Sequence, residues 1–107
     1  MNKPKILIAD DGESQRFVLK GFLLREGYLV DEAENGIKAI QCIRDHHFDI
    51  ILLDHKMPGM NGLEVLKEVK SINPEIAVVI ISAYGTIERA VEAMEAGAFY
   101  YITKPVE

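Results

Sequence analysis

Short apolar runs that end in aspartate alternate with segments of helical period, and that alternation restricts the folds open to this chain. Lys5-Ile6-Leu7-Ile8-Ala9 runs into Asp10 and Asp11, and Ile50-Ile51-Leu52-Leu53 runs into Asp54. A run that is apolar at every position suits a strand covered by helices on both faces, the usual condition of a parallel sheet. The pattern predicts strands near 5–10, 28–33, 49–53, 76–81 and 99–102, with helices near 13–26, 36–47, 62–72 and 86–97. In the third helix Leu63, Leu66, Val69 and Ile72 fall on one face, and in the fourth Ile87, Ala90, Val91 and Met94 do. Both sets have the three-and-four spacing of a buried stripe. Asn61 with Glu64 three residues on has the form of a capping box, and Thr86 is the expected cap of the fourth helix. Gly27, Gly36 and Gly97 punctuate the chain, and Asn35-Gly36 reads as a turn before the second helix. The segment Tyr28 to Ala33 carries Asp31 and Glu32, so it belongs at a sheet edge.

Five strands with intervening helices imply right-handed crossovers and a doubly wound α/β sheet. The expected order is 2-1-3-4-5, with the switch point between the first and third strands, where ligands bind beyond the carboxyl ends. That order brings Asp10 and Asp11 beside Asp54. Three gathered carboxylates repel one another and call for a counter-charge. A hard divalent cation with oxygen ligands, Mg²⁺ above all, answers that need. Lys104 follows the last apolar run and adds a positive charge at the same rim. A carboxylate set against a metal ion and an ammonium is suited to accepting a phosphoryl group.

Composition sets the remaining bounds. With 107 residues, 49% of them apolar, the chain can build one core without disulfides. Cys42 is the single cysteine, which excludes an intrachain bridge and suits a reducing, cytoplasmic setting. No apolar stretch is long enough to span a membrane, and the first residues lack a secretory core. A net charge of −5 argues against direct nucleic-acid binding by this domain. The chain stops at Glu107, where a fifth helix would normally cover the sheet. The expected account is a domain truncated before that helix. A natural boundary and a covering dimer are the competitors, and each account leaves apolar surface on the last strand and first helix to be covered.

The motifs Ile8-Ala9-Asp10-Asp11, Leu53-Asp54-His55-Lys56-Met57-Pro58-Gly59-Met60-Asn61-Gly62, Ile81-Ser82-Ala83, Gly97-Ala98-Phe99 and Tyr101-Ile102-Thr103-Lys104-Pro105 stand in one chain. Together they resemble a two-component response-regulator receiver domain along essentially the whole length. Ser82 to Gly85 and Gly97 to Pro105 are most similar to NtrC-type transcriptional activators. The resemblance implies a flavodoxin-like fold and a phosphorelay switch rather than an enzyme. It makes Asp54 the phosphoacceptor, supplied by a sensor histidine kinase or a small donor such as acetyl phosphate. Asp11, Asp54 and the Lys56 backbone carbonyl are the implied Mg²⁺ ligands, with Asp10 helping through water or as an outer acceptor. Ser82 and Lys104 are the implied contacts of the phosphoryl group, and Tyr101 the aromatic that rotates to signal its arrival. The output falls on the face of the fourth helix and fifth strand, which controls an effector domain or partner protein, with a homodimer as one outcome. Lys56 and Tyr84 stand at positions that tune loss of the phosphoryl group, and Lys104-Pro105 is a candidate cis peptide.

Plainer readings stand beside these. Asp10-Asp11 can be a helix-capping pair. Ser82 can be a loop hydroxyl, Tyr101 an ordinary half-buried strand aromatic, Lys56 a solvated charge and His55 a loop histidine. His46 and His47 are adjacent and point apart, which disfavours a shared metal. Cys42 reads as a small core residue, and Glu88, Glu92 and Glu95 as a solvated helix face. Three other functions compete. A small Mg²⁺-dependent aspartyl phosphatase would carry its nucleophile in an Asp-x-Asp pattern after the first strand and would need room for a cap. A mononucleotide-binding module would want a Ser/Thr/Gly-rich loop where the acidic pair stands. A receiver lookalike that only mediates contacts would not need the full acidic, hydroxyl and lysine set.

Overall fold

At the rim of the sheet the first strand stops at Ala9, just before Asp10, and the third ends on Asp54. The computed structural model describes residues 3–83 and 86–103. In chain order the elements are β1 (Lys5–Ala9), α1 (Glu13–Arg25), β2 (Leu29–Ala33), α2 (Gly36–Asp45), β3 (Ile50–Asp54), α3 (Gly62–Ile72), β4 (Ala77–Ser82), α4 (Ile87–Glu95) and β5 (Tyr100–Thr103). The strands form one sheet in the order β2-β1-β3-β4-β5, and every adjacent pair is parallel. The doubly wound topology expected from the alternating pattern is the one observed, and β2, the most polar strand, lies at the edge.

The two faces of the sheet are unequal. Alternate residues Leu7, Ala9, Ile51, Leu53, Val78 and Ile80 are buried in the main core, which α2 and α3 complete with Ala39, Ile43, Val65, Leu66 and Val69. Ile6 and Ile8, at the intervening positions of β1, are buried as well, but outside that core cluster. On β3 and β4 the intervening positions Ile50, Leu52, Val79 and Ile81 are only half-buried. Full cover of both faces, expected from the apolar runs, therefore holds for β1 and fails toward β4. The reason is the placement of α1, which packs against β1 and β2. No residue of α1 is fully buried, and Phe17, Val18 and Phe22 are mostly exposed. Exposure was expected on the first helix and the last strand, and Tyr100 of β5 is exposed too.

Helix α4 corrects the sequence reading. Its buried residue is Ala93, at 2% exposure, whereas Ile87 is 81% exposed and Val91 and Met94 are nearly half exposed. Two stripes satisfy helical spacing here, one of large apolar residues and one through Ala90 and Ala93. The sheet takes the small one, because alanines let the helix backbone come close to β5. In α3 the expected stripe holds, with Leu66 and Val69 buried and Leu63 and Ile72 packed at its margin.

The caps agree with the chain. Asn61 accepts the Glu64 N–H at 2.9 Å while the Glu64 carboxylate accepts the Asn61 N–H at 3.1 Å, a closed capping box. The Thr86 hydroxyl oxygen accepts the Arg89 N–H at 3.2 Å. Asn35, read as part of a turn, is the N-cap of α2 and accepts from the Lys38 N–H at 2.8 Å.

Candidate functional site

Register places the acids. Ala9 pairs with Leu53 across β1 and β3, so Asp10 and Asp54 leave adjacent strands side by side at the carboxyl edge. Ile81 pairs with Asp54 across β3 and β4, so Ser82 lies one residue further along the next strand. Ser82 in turn pairs with Thr103 of β5. Lys104 follows Thr103 directly in the chain. Its role, the tuning role of Tyr84 and the cis form of Lys104-Pro105 all fall outside the described residues.

Carboxylate oxygens of Asp10, Asp11 and Asp54 all lie within 4.8 Å of one another. Asp10 is 5% exposed and Asp54 9%, while Asp11 is open to solvent. This oxygen-only, triply anionic set fits a hard divalent cation, and Mg²⁺ matches it better than a metal that prefers sulfur or imidazole. Neither Asp10 nor Asp11 caps α1. The N-cap is Gly12, and the Asp10 carboxylate turns back to accept the Gly12 N–H at 2.8 Å. The capping-pair reading therefore fails on geometry.

Neighbours hold the acids in position. The Arg16 guanidinium donates to the Asp10 backbone carbonyl at 2.7 Å and to Glu32 at 3.1 Å. Glu32 also accepts from Lys20 at 3.0 Å, and this bond, with Arg16 beside it, keeps its carboxyl below the ordinary carboxylate range. Glycine at position 62 lets α3 start against the end of β3: a Cβ there would lie 2.7 Å from His55 Cα and 2.9 Å from the Asp54 carbonyl oxygen. The Gly62 N–H donates to the His55 carbonyl at 2.7 Å. An open cavity of about 710 Å³ above the acids is lined in part by Asp11, Asp54, Lys56, Met57 and Ala83.

The other sequence candidates divide clearly. Ser82 is buried at 1% exposure at the end of β4. Tyr101 pairs with Ile80 and is half-buried, and its hydroxyl is enclosed with no hydrogen-bond partner. Lys56 stands exposed on the loop after β3. His46 and His47 are exposed, and His47 bonds Asp49 at 3.1 Å. Among the described residues, the aspartate trio is the one cluster with metal-binding spacing. Cys42 is half-buried against the core, and burial raises its thiol pKa. Glu88, Glu92 and Glu95 are exposed.

His55, read from the sequence as a loop histidine, lies on the loop after β3. It is half-buried, and its Nδ1 is enclosed without a hydrogen-bond partner. Burial, with Arg89 nearby, pushes its imidazole below the usual histidine range. Next to Asp54 in the chain, it carries no spacing signal of its own.

A parallel sheet wound on both sides, with clustered acids at its switch point and a buried hydroxyl at the neighbouring strand end, defines an α/β domain built to present carboxylates to a cation. The chain belongs to the response regulator receiver domain family, whose model matches residues 6–107. It is similar to the transcriptional regulatory protein ZraR of Klebsiella oxytoca, 42% identical over 102 residues, covering 95% of this chain and 23% of ZraR. It is also similar to sporulation initiation phosphotransferase F of Bacillus subtilis, 39% identical over 107 residues, covering 100% of this chain and 86% of that protein. A CheY-like receiver from Methanospirillum hungatei superposes with a TM-score of 0.94 at 32% identity, over 99% of this chain and 85% of the other. The chain spans about a quarter of the length of the ZraR relatives it matches. NtrC-type activators and CheY-like receivers both occur among its relatives, so the narrower likeness to the activators is real and shared. Domains of this family are switch modules that bind Mg²⁺ at an acidic pocket. No helix among the described residues is long and apolar enough to cross a membrane.

Proposed function

We propose that Asp54 is a reversible phosphoacceptor and that the domain is a signalling switch in a two-component phosphorelay. The clustering of Asp10, Asp11 and Asp54 at one strand edge supports this most strongly. Asp11, Asp54 and the backbone carbonyl of Lys56 would hold Mg²⁺, with Asp10 assisting at the margin. Bound there, the cation supplies positive charge that offsets repulsion between an anionic nucleophile and an anionic phosphoryl group.

The chain's own groups do the rest. An Asp54 carboxylate oxygen attacks phosphorus in line, the bond from phosphorus to the donor imidazole breaks, and the imidazole leaves with its electron pair and takes a proton. Lys104 approaches the transferred oxygens from the β5 end and the Ser82 hydroxyl donates to one of them. The inward shift of Ser82 opens room for Tyr101, whose enclosed hydroxyl lacks a partner and so gives it no anchor where it lies. The faces of α4 and β5 then change affinity for a partner, a population shift between two existing arrangements. The donor is a sensor histidine kinase, the recipient an effector that controls transcription, and the setting cytoplasmic. This domain does not itself touch DNA, in keeping with its net charge of −5.

Intact mass after incubation with acetyl phosphate and Mg²⁺ tests the reading. One phosphoryl adduct on the wild type and none on Asp54→Asn is expected. Equal labelling of both, or continuous turnover of an aryl phosphate, would remove the switch reading in favour of another acceptor or a phosphatase.

A further inference from the structure

A second cavity, of about 400 Å³, opens between the loop after β3 and helix α4. Its lining residues are His55, Lys56, Met57, Asn61 and Arg89. Lys56 and Met57 line the acidic cavity too, so the two sites share a wall. The chemistry of the second cavity is the reverse of the first. Every polar residue lining it can donate a hydrogen bond and none is a carboxylate, in a chain with 17 acidic residues against 12 basic ones.

Arg89, Asn61 and His55 each keep bonding capacity unused among the described residues. Among the described residues Arg89 forms no ion pair, although Arg16 and Arg44 each do. Its backbone N–H is held by the Thr86 cap, and the residue lines the cavity. Asn61 commits its side-chain oxygen to the capping box, so its amide nitrogen remains to donate. The Nδ1 of His55 is enclosed and has no hydrogen-bond partner, a costly state that a small movement of the loop after β3 would relieve by offering it to a ligand. Asp54 and Glu92 act on the imidazole through space but do not bond Nδ1.

We propose that this cavity is an oxyanion-binding site, separate from the phosphoacceptor, in which Arg89, Lys56, His55 and Asn61 together hold a phosphate or carboxylate group. A bound oxyanion bridges the loop that carries the acceptor strand's end to the first turn of α4. Two elements otherwise joined through the sheet then gain a direct tie, which gives an anionic ligand or an acidic side chain of a partner a lever on the α4 face. The inference does not depend on Asp54 being phosphorylated.

The test is a titration of Mg²⁺-free protein with inorganic phosphate at constant ionic strength, followed by backbone amide shifts, with sodium chloride as the control. Saturable shifts confined to residues 55–61 and 86–92 are expected. Asp54→Asn should retain them, which separates this site from the acceptor. Arg89→Gln, at an exposed position that tolerates the change, should weaken binding about tenfold. A parallel acetate titration distinguishes the sources: phosphate bound more tightly indicates a free phosphate ligand, and equal binding indicates a partner carboxylate, either of which supports the site. Shifts confined to the acidic rim, an equal response to chloride, or unchanged affinity in Arg89→Gln would each overturn it.

Discussion

Two glycine-to-alanine changes should move stability in opposite directions, and the geometry fixes the sign of each. At Gly62 a new Cβ would meet backbone on two sides, 2.7 Å from His55 Cα and 2.9 Å from the Asp54 carbonyl oxygen. Backbone cannot rotate out of the way as a side-chain tip can, so α3 or the loop after β3 must shift. Overpacking of that kind costs about 1–3 kcal/mol. For a domain of this size it corresponds to a fall in melting temperature of roughly 5–20 °C. At Gly21, in the interior of α1, a Cβ would meet nothing within 4 Å. There alanine removes only the entropic penalty of glycine and should stabilise by about 0.5–1 kcal/mol. Urea unfolding monitored by circular dichroism measures both. The Gly62 variant should also lose Mg²⁺ affinity, because the strand end that carries Asp54 is what must move. A Gly62→Ala protein within about 0.5 kcal/mol of wild type would refute the close-approach argument.

Further tests address the acids and the switch. Asp11→Asn should raise the melting temperature of the Mg²⁺-free protein, by about 1 kcal/mol of relieved repulsion at an exposed site. It should also abolish the rise that Mg²⁺ produces in the wild type, as differential scanning calorimetry would show. Glu32 has a folded pKa below its ordinary 4.5, so its contribution is complete above that value and is lost as pH falls through the lowered folded pKa. Glu32→Gln should therefore lower stability modestly above about pH 5 and flatten the acid limb, so that variant and wild type converge below the folded pKa. Lys104→Ala should keep Mg²⁺ affinity but respond to beryllofluoride without the change in partner binding that wild type shows.

Much of this architecture was legible in the chain because its signals are local. Apolar runs marked four strands, the charged Asp31 and Glu32 sent β2 to the edge, and Asn61 with Glu64 announced the start of α3. The acidic rim was legible for the same reason: once the strand order is granted, residues that end neighbouring strands must meet. What failed depended on partners the chain does not display. Ile87, Val91 and Met94 have faultless helical spacing, yet which stripe of α4 faces the sheet depends on how near the helix can approach β5. The smaller Ala93 won that contact. The uneven cover of β3 and β4 depends on where α1 sits, which no strand pattern records. His55 was read only as a loop histidine because its meeting with Arg89 is a relation between the loop after β3 and a helix some thirty residues on.

Trapping the modified residue tests the central claim most directly. Borohydride reduction of an aspartyl phosphate leaves homoserine, which peptide mass spectrometry can assign to a position. After acetyl phosphate treatment the account predicts homoserine at position 54 alone, formed with Mg²⁺ and absent without it. Homoserine at position 10 or 11, or equal yield at position 54 when Mg²⁺ is chelated, would contradict it.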